Sequence, residues 1–330
     1  ADVLWYLGDD VDHKPRADVP FPAGYKFDYL NADALLNRLR LVDGALRNPE
    51  GAAWKVLWLR PENCQRLTVA TLTKLRALLQ QGATVIGPAP RLNASLGGGA
   101  EAGRNFAALV QELWGEVIAA GGDRRIGAGR LVWGGSLEAT LARIGIAPDV
   151  TGASAATWCH RRADGADLYF VAADRKAPLR ANLNFRAPGQ PEFWDPLTGA
   201  SRPVNVFSRD GMRTAIALDL PAAGSVFVIF RPGTREPAFT RIAHEGAVVA
   251  DARDASRVDP GVPPPIQGLQ PGEVLQPWVD APLPSCELQP GGRQLVAWQA
   301  GRYMLTRADN SNATVVAART RTLPVIGPWT

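Results

Sequence analysis

The chain reads as an α/β domain followed by all-β modules, and three observations predict this. Strand and helix signals alternate over the first 145 residues, the pattern of a parallel sheet covered on both faces. Beyond residue 150 the hydrophobic period changes to two, as in an antiparallel sandwich. From Pro232 prolines and glycines cluster, ahead of a last short set of strands. With 330 residues the chain exceeds what one ordinary core supports. The expected division is an α/β domain over 1–150, a sandwich over 151–232, and a Pro/Gly-rich linker with a small β module over 233–330.

In order, residues 2–7 (DVLWYL) predict a first buried strand, and Asn31 is placed to cap a helix carrying Leu35, Leu36 and Leu39. Residues 55–59 (KVLWL) predict the next strand. The helix after it starts near Thr68, aligns Leu72, Leu75, Leu78 and Leu79, and stops at Gly82. A third strand follows at 83–87 (ATVIG). Phe106, Leu109, Val110, Leu113, Trp114 and Val117 then fall at helical spacing, the strongest such run in the chain. After a short strand at 131–133, Ser136 caps a helix bearing Leu137, Leu141 and Ile144. Together these elements predict an open, doubly wound sheet of flavodoxin-like type.

In the β region, runs at 155–162 and 167–172 flank Asp164-Gly165, and Asp210-Gly211 supplies a second hairpin signal. Further strands are expected at 179–185, 204–207, 212–220 and 225–230. Residues 232–290, with GVPPPIQG, LQPGEV and APLPS, predict an extended, loop-rich stretch. Strands near 293–298, 302–306 and 314–318 suggest a small immunoglobulin-like module.

Composition narrows the function. The apolar fraction of 46% and charge of 21% describe a globular chain. Its net charge of +4 is spread along the sequence without Lys/Arg runs, so nucleic acid is not an expected partner. Nothing approaches the apolar length of a membrane span, and no signal-peptide pattern opens the chain. The three cysteines, Cys64, Cys159 and Cys286, lack metal-ligand spacing and leave open whether Cys159 and Cys286 pair.

No stretch carries a complete catalytic set, and no catalytic or metal-binding residue is assigned. Gly8-Asp9-Asp10 ends the first strand like an acidic receiver pocket, yet no later strand ends in a partner Asp. Cys64 follows a strand, but Glu62 and Arg66 stand where a nucleophile elbow needs small residues. His160 could serve Cys64 only across domains. Gly97-Gly98-Gly99 lacks the Gly-Lys-Ser/Thr of a phosphate loop and is expected to be a loop. Glu192 and Asp195 form the aromatic-flanked carboxyl pair of the β region, but their spacing puts them on opposite strand faces. The most informative stretch is loop 21–31, dense in aromatics with one carboxylate. Tyr25, Asp28, Tyr29 and Asn31 are its candidates for facing a polar ring such as a sugar; the alternative is that the aromatics staple the loop to the sheet.

Several stretches taken in order resemble one family. They are Leu4-Trp5-Tyr6-Leu7-Gly8-Asp9-Asp10, Pro22-Ala23-Gly24-Tyr25-Lys26-Phe27-Asp28-Tyr29-Leu30-Asn31, Gly82-Ala83-Thr84-Val85-Ile86-Gly87, His160-Arg161-Arg162 with Asp167-Leu168-Tyr169-Phe170-Val171, and Glu192-Phe193-Trp194-Asp195-Pro196-Leu197-Thr198-Gly199. Over residues 1–232 the chain resembles the region downstream of the catalytic barrel in bacterial α-L-rhamnosidases of glycoside hydrolase family 106. Gly327-Pro328-Trp329 resembles the entry to a further β-sandwich of these enzymes. The resemblance implies a periplasmic or extracellular multidomain enzyme that removes terminal α-L-rhamnose by inversion, using barrel carboxylates and a calcium ion. None of those carboxylate motifs has a counterpart here. The resemblance therefore implies an accessory fragment, inactive alone, with an amidotransferase-like α/β domain that has lost its nucleophile elbow. It needs no cofactor of its own, and its partners are the rest of its polypeptide and rhamnose-containing glycans, with loop 25–31 nearest the active-site rim. A chain that starts inside its first strand and stops at Gly-Pro-Trp fits such a piece. Two other readings remain: a stand-alone carbohydrate-binding or scaffolding module, and an independent hydrolase using Asp9, Asp10 or Cys64.

Overall fold

The computed structural model describes residues 1–9, 21–115, 121–152, 156–233, 239–253, 258–259, 286–288, 295–297 and 299–318. These residues are mostly β-sheet with few helices, and they divide into two compact units, Ala1–Asp149 and Val150–Thr330.

The first unit is built on a six-stranded sheet. Its strands are β1 (Val3–Tyr6), β2 (Phe27–Leu30), β3 (Val56–Leu59), β4 (Thr84–Ile86), β5 (Gly122–Ile126) and β6 (Gly129–Trp133). They lie in the order β5-β6-β4-β3-β1-β2. All neighbours are parallel except the β5–β6 hairpin at one edge. Strands buried on both faces need apolar residues at every position, which is why β1 and β3 read VLWY and VLWL.

One face of the sheet packs Leu4, Tyr6, Leu57 and Val85 against α1 (Val69–Gln81) and α2 (Gly99–Trp114). The other packs Val3, Trp5, Val56 and Trp58 against Tyr25 and α3 (Leu137–Arg143). Helix α1 starts where the sequence predicts, because the Thr68 hydroxyl accepts the Thr71 backbone N–H at 3.2 Å. Ser136 caps α3 the same way, accepting from the Ala139 N–H at 3.1 Å.

Two local expectations need correction. The helix expected after Asn31 is a five-residue π-helical turn, Ala34–Arg38. The chain then turns back as a meander, Arg40–Val42, Ala45–Arg47 and Ala53–Trp54, whose first hairpin turns at Asp43-Gly44 with φ of 52° and 72°. Helix α2 begins at Gly99 rather than Phe106, with Gly98 as its left-handed N-cap, so the last residue of the glycine run is already helical while Gly97 and Gly98 precede the helix. Its opening turns are exposed and carry no apolar period, which hides them from pattern reading. Val117, expected to extend its apolar face, lies outside the described residues.

In the second unit two antiparallel sheets share one core. In spatial order one comprises Val150–Thr151, Leu179–Phe185, Arg213–Leu220 and Phe207–Asp210, with Val258–Asp259 beside Leu179–Phe185. The other comprises Thr157–Ala163, Ala166–Ala172, Ser225–Arg231, Gln190–Trp194 and Ser201–Pro203. Both contribute to one core, in which Tyr169, Val171, Val228 and Phe230 meet Leu183, Phe185 and Ile216. The hairpin at Asp164-Gly165 forms with φ of 50° and 77°.

Part of the stretch expected to be loop-rich is instead a hairpin, Arg241–His244 and Ala247–Asp251, turning at Glu245-Gly246. Gly301–Thr306 joins Arg241–His244, and Asn312–Ala317 joins Gly301–Thr306, making a four-stranded sheet over Ile242, Tyr303 and Leu305. The proline-dense residues 260–285 and the terminal Gly327-Pro328-Trp329 lie outside the described residues.

Candidate functional site

In an open α/β sheet a ligand sits beyond the carboxyl ends of the strands, where successive strands begin to be laid down on the opposite side. Strand β1 lies between β2 and β3, so that point falls at the ends of β1 and β3. Gly8 and Asp9 leave β1, Arg60 to Cys64 leave β3, and the N-terminus of α1 faces them.

This chain fills that crevice itself. Asp9 Oδ1 accepts from the Thr71 hydroxyl at 2.7 Å and from the Tyr6 hydroxyl. Its Oδ2 accepts from the Thr68 backbone N–H at 2.5 Å. Exposed N–H groups and the helix dipole make such a terminus a site for anions, and here the anion is Asp9. The two strand-end loops also touch. A Cβ on Gly8, whose φ is 96°, would lie 2.4 Å from the Asn63 carbonyl oxygen, so any larger residue forces them apart.

Cys64 lies behind this closure, fully buried, its thiol donating to the Tyr6 carbonyl at 3.9 Å. Burial, and then the charge of Asp9, push its pKa far above the ordinary thiol value. Burial and Asp9 likewise raise the Tyr6 phenol. Since the thiolate is the reactive form, Cys64 is held in its inert state. Cys159 carries a free, exposed thiol. Brief alkylation of the native chain, mapped by mass spectrometry, should therefore modify Cys159 and spare Cys64 until denaturant is added. Equal labelling of both in the native state would contradict the closed crevice.

The aromatic loop is dispersed rather than gathered. Tyr25 is buried and donates its hydroxyl to the Ile146 carbonyl at 2.8 Å, pinning the loop to the chain beyond α3. Phe27 and Tyr29 share one face of β2, with ring centroids 5.0 and 5.2 Å from that of Trp5, itself 4.9 Å from Trp58. Asp28 points to the opposite face, accepting the Trp54 indole N–H at 2.7 Å. Asn31 caps the turn beyond, its Oδ1 accepting the Ala34 N–H at 2.9 Å.

The four candidates therefore do not converge on one point. Tyr29 and Arg60 both lie against Trp5, the Tyr29 ring centroid and the Arg60 guanidinium each 5.2 Å from a Trp5 ring centroid, and Arg60 also pairs with Glu62 at 2.8 Å. Burial raises the Tyr29 phenol against the opposing influence of the Arg60 charge. Arg60 escaped the sequence reading. Its signal is the matching Trp of β1 and β3, which places the residue after β3 beside that ring.

The other candidates have local partners. Glu192 accepts from Arg231 Nε at 3.1 Å and from the Trp194 indole at 3.1 Å, whereas Asp195 accepts the N–H groups of Leu197 and Thr198 at 2.8 and 3.3 Å. His160 pairs with Asp167 at 3.0 Å and stacks on Tyr169 within its own unit. Asp10 and the Cys286 side chain lie outside the described residues. Among the described residues no group of three His, Cys, Asp or Glu side chains is arranged to hold a metal ion. None of their helices is long and apolar enough to cross a membrane.

An α/β sheet whose crevice is closed by its own carboxylate, followed by antiparallel β-sheets, describes the chain physically, and comparison supplies the family. Residues 1–208 match glycoside hydrolase family 106, described as alpha-L-rhamnosidase, and the chain belongs to that family. It is similar to a rhamnosidase from Novosphingobium sp. PP1Y, with 30% identity and a TM-score of 0.61, over 77% of this chain and 26% of that one. It is also 29% identical over 249 residues to a Formosa agariphila protein named "Putative beta-glucuronidase", covering 72% of this chain and 20% of that protein. The chain thus spans about a quarter or less of the length of these relatives.

Proposed function

We propose that this chain is a non-catalytic accessory portion of an α-L-rhamnosidase-like glycoside hydrolase, supporting a catalytic barrel carried elsewhere in the same polypeptide. The observation that carries this reading is the closed crevice. Asp9, the acidic residue at the strand ends, caps α1, and Cys64, the nucleophile by position, is buried as a neutral thiol. A sheet arranged this way is suited to packing rather than turnover.

The finer architecture belongs to the same proposal. The parallel order β2-β1-β3-β4-β6 supports a flavodoxin-like, amidotransferase-like first domain over 1–150. The paired sheets support a sandwich over 151–232, and the four-stranded sheet an immunoglobulin-like module within 233–330. The whole enzyme would be multidomain and exported, its partners in this reading being the barrel, a further β-sandwich and rhamnose-containing glycans. The calcium ion that the family implies would sit in the barrel; among the described residues no group of three His, Cys, Asp or Glu side chains is arranged to hold a metal ion. A sugar-facing role of the aromatic loop is part of the same proposal, with Tyr25 and Asp28 holding the loop through their contacts to Ile146 and Trp54.

The test is turnover of a chromogenic α-L-rhamnoside by this chain and by a longer version with the upstream sequence restored. Activity in the longer protein alone is the expected result. Turnover by the 330-residue chain at a rate comparable to the longer protein would overturn the accessory assignment.

A further inference from the structure

The second sheet of the sandwich turns one face to the core and the other away from it. Residues directly opposite one another in a ladder share a face, so Cys159, Phe170, Phe227 and Trp194 form one row across four strands of the outer side. Leu168 and Ile229 form the middle of the next row, with Arg161 and Glu192 at its ends. The alternate residues Tyr169, Val171, Val228 and Phe230 fill the core, whereas Leu168, Phe170, Phe227 and Ile229 belong to none of the hydrophobic cores of the described residues. A strand with one solvated face normally carries polar residues there, yet Ala166–Ala172 and Ser225–Arg231 are apolar on both sides over most of their length. Ile229 is buried at the centre of this outer face, Phe170 and Phe227 are half-buried with ring centroids 5.0 Å apart, and Cys159 is exposed at the sheet edge.

The border of this face is polar. On one side Trp194 donates its indole N–H to Glu192 at 3.1 Å, and Arg231 pairs with Glu192 while lying over the Trp194 ring. On the other, Arg161 donates to the His160 carbonyl at 3.0 Å and has no carboxylate partner among the described residues. An apolar patch with a polar rim is the anatomy of a protein interface. The same details argue against a platform for sugars, because the Phe170 and Phe227 planes are inclined by 58° and Arg231 covers Trp194. The relatives are matched over 26% and 20% of their lengths, so most of each lies outside the matched region. A domain tethered in the same polypeptide is held at high effective concentration and needs only a modest contact surface, about 600–1,500 Å² between domains.

We infer that this outer face is the surface on which the catalytic barrel of the same polypeptide packs, with apolar side chains against Leu168, Phe170, Phe227 and Ile229 and a carboxylate facing Arg161. The inference rests on the accessory reading, to which it adds the contact surface.

Cys159 reports on this face directly, because it lies in the row of Phe170 and Phe227. Its rate of alkylation by iodoacetamide, mapped by mass spectrometry, should be lower by about tenfold or more in the longer protein with the upstream sequence restored than in the 330-residue chain. In the longer protein, Phe227→Glu and the milder Phe170→Ser should each return labelling towards the rate of the 330-residue chain, with circular dichroism verifying that the variants are folded. Equal rates in the two unsubstituted proteins, or protection that both substitutions leave intact, would overturn the inference. So would a Cys159 rate in the 330-residue chain that falls as a dimer forms with rising concentration, since a second copy would then be the occupant. Turnover of the rhamnoside separates this inference from the reading beneath it. An active longer protein whose Cys159 stays open refutes the surface alone, whereas protection of Cys159 without turnover refutes the rhamnosidase reading alone.

Discussion

Asp9→Ala should lower the stability of the first unit by on the order of 3 kcal/mol. The carboxylate receives the Thr68 N–H, the Thr71 hydroxyl and the Tyr6 hydroxyl. Alanine would leave all three donors without it in a partly buried position and strip the N-terminus of α1 of its counter-charge. Loss of a helix cap alone costs about 1 kcal/mol, and each buried donor left unsatisfied costs about 1–3 kcal/mol, less where water can reach it. Asp9→Asn keeps the shape and one acceptor oxygen, so its loss should fall between wild type and alanine. Denaturant unfolding of the three proteins checks the ranking. If Asp9→Ala matched wild type, the acid would be a solvated strand end and the crevice would not be closed from within.

The same contact shows what can be read from a one-dimensional pattern. Strands β1, β3 and β4 and helices α1 and α3 were legible because each carries its own signal: an apolar run, a leucine stripe, a capping Thr68 or Ser136. Asp9 at a strand end was legible too, but its partners were not. Thr68 and Thr71 lie 59 and 62 residues away, and only the parallel crossover brings α1 to it.

Asp28 followed the same logic. Its charge among aromatics stood out, whereas the Trp54 that it binds sits in a meander of two- and three-residue strands, too short to show a period. Asp43-Gly44 and Glu245-Gly246 are the turns that could have revealed the missed hairpins. The first follows a segment whose leucines suggested helix, and the second sits amid prolines that suggested loop. Phe170 and Phe227 become neighbours only through strand register, which fixes which residues face one another but is set by long-range pairing.

Register also governs the second large effect, Tyr169→Ala in the sandwich. Tyr169 is fully buried, and its ring centroid lies 4.9 Å from Phe185 of the facing sheet. On its own sheet it lies 5.7 Å from Phe230 and 6.4 Å from Trp158, with His160 stacked over it at 4.1 Å. One side chain therefore joins both layers and covers the imidazole that pairs with Asp167. Truncation to alanine removes the ring's transfer free energy and leaves a cavity among rigid aromatics that cannot collapse into it, about 3–5 kcal/mol together. For a unit of this size that is a fall in Tm on the order of 10 °C. Tyr169→Phe keeps the ring and should cost about 1 kcal/mol. Limited proteolysis adds a readout of place: cleavage in Tyr169→Ala should accelerate within the second unit while the sheet of the first stays protected. Equal Tm losses for Phe and Ala would mean that the hydroxyl, not the ring, holds the two sheets together.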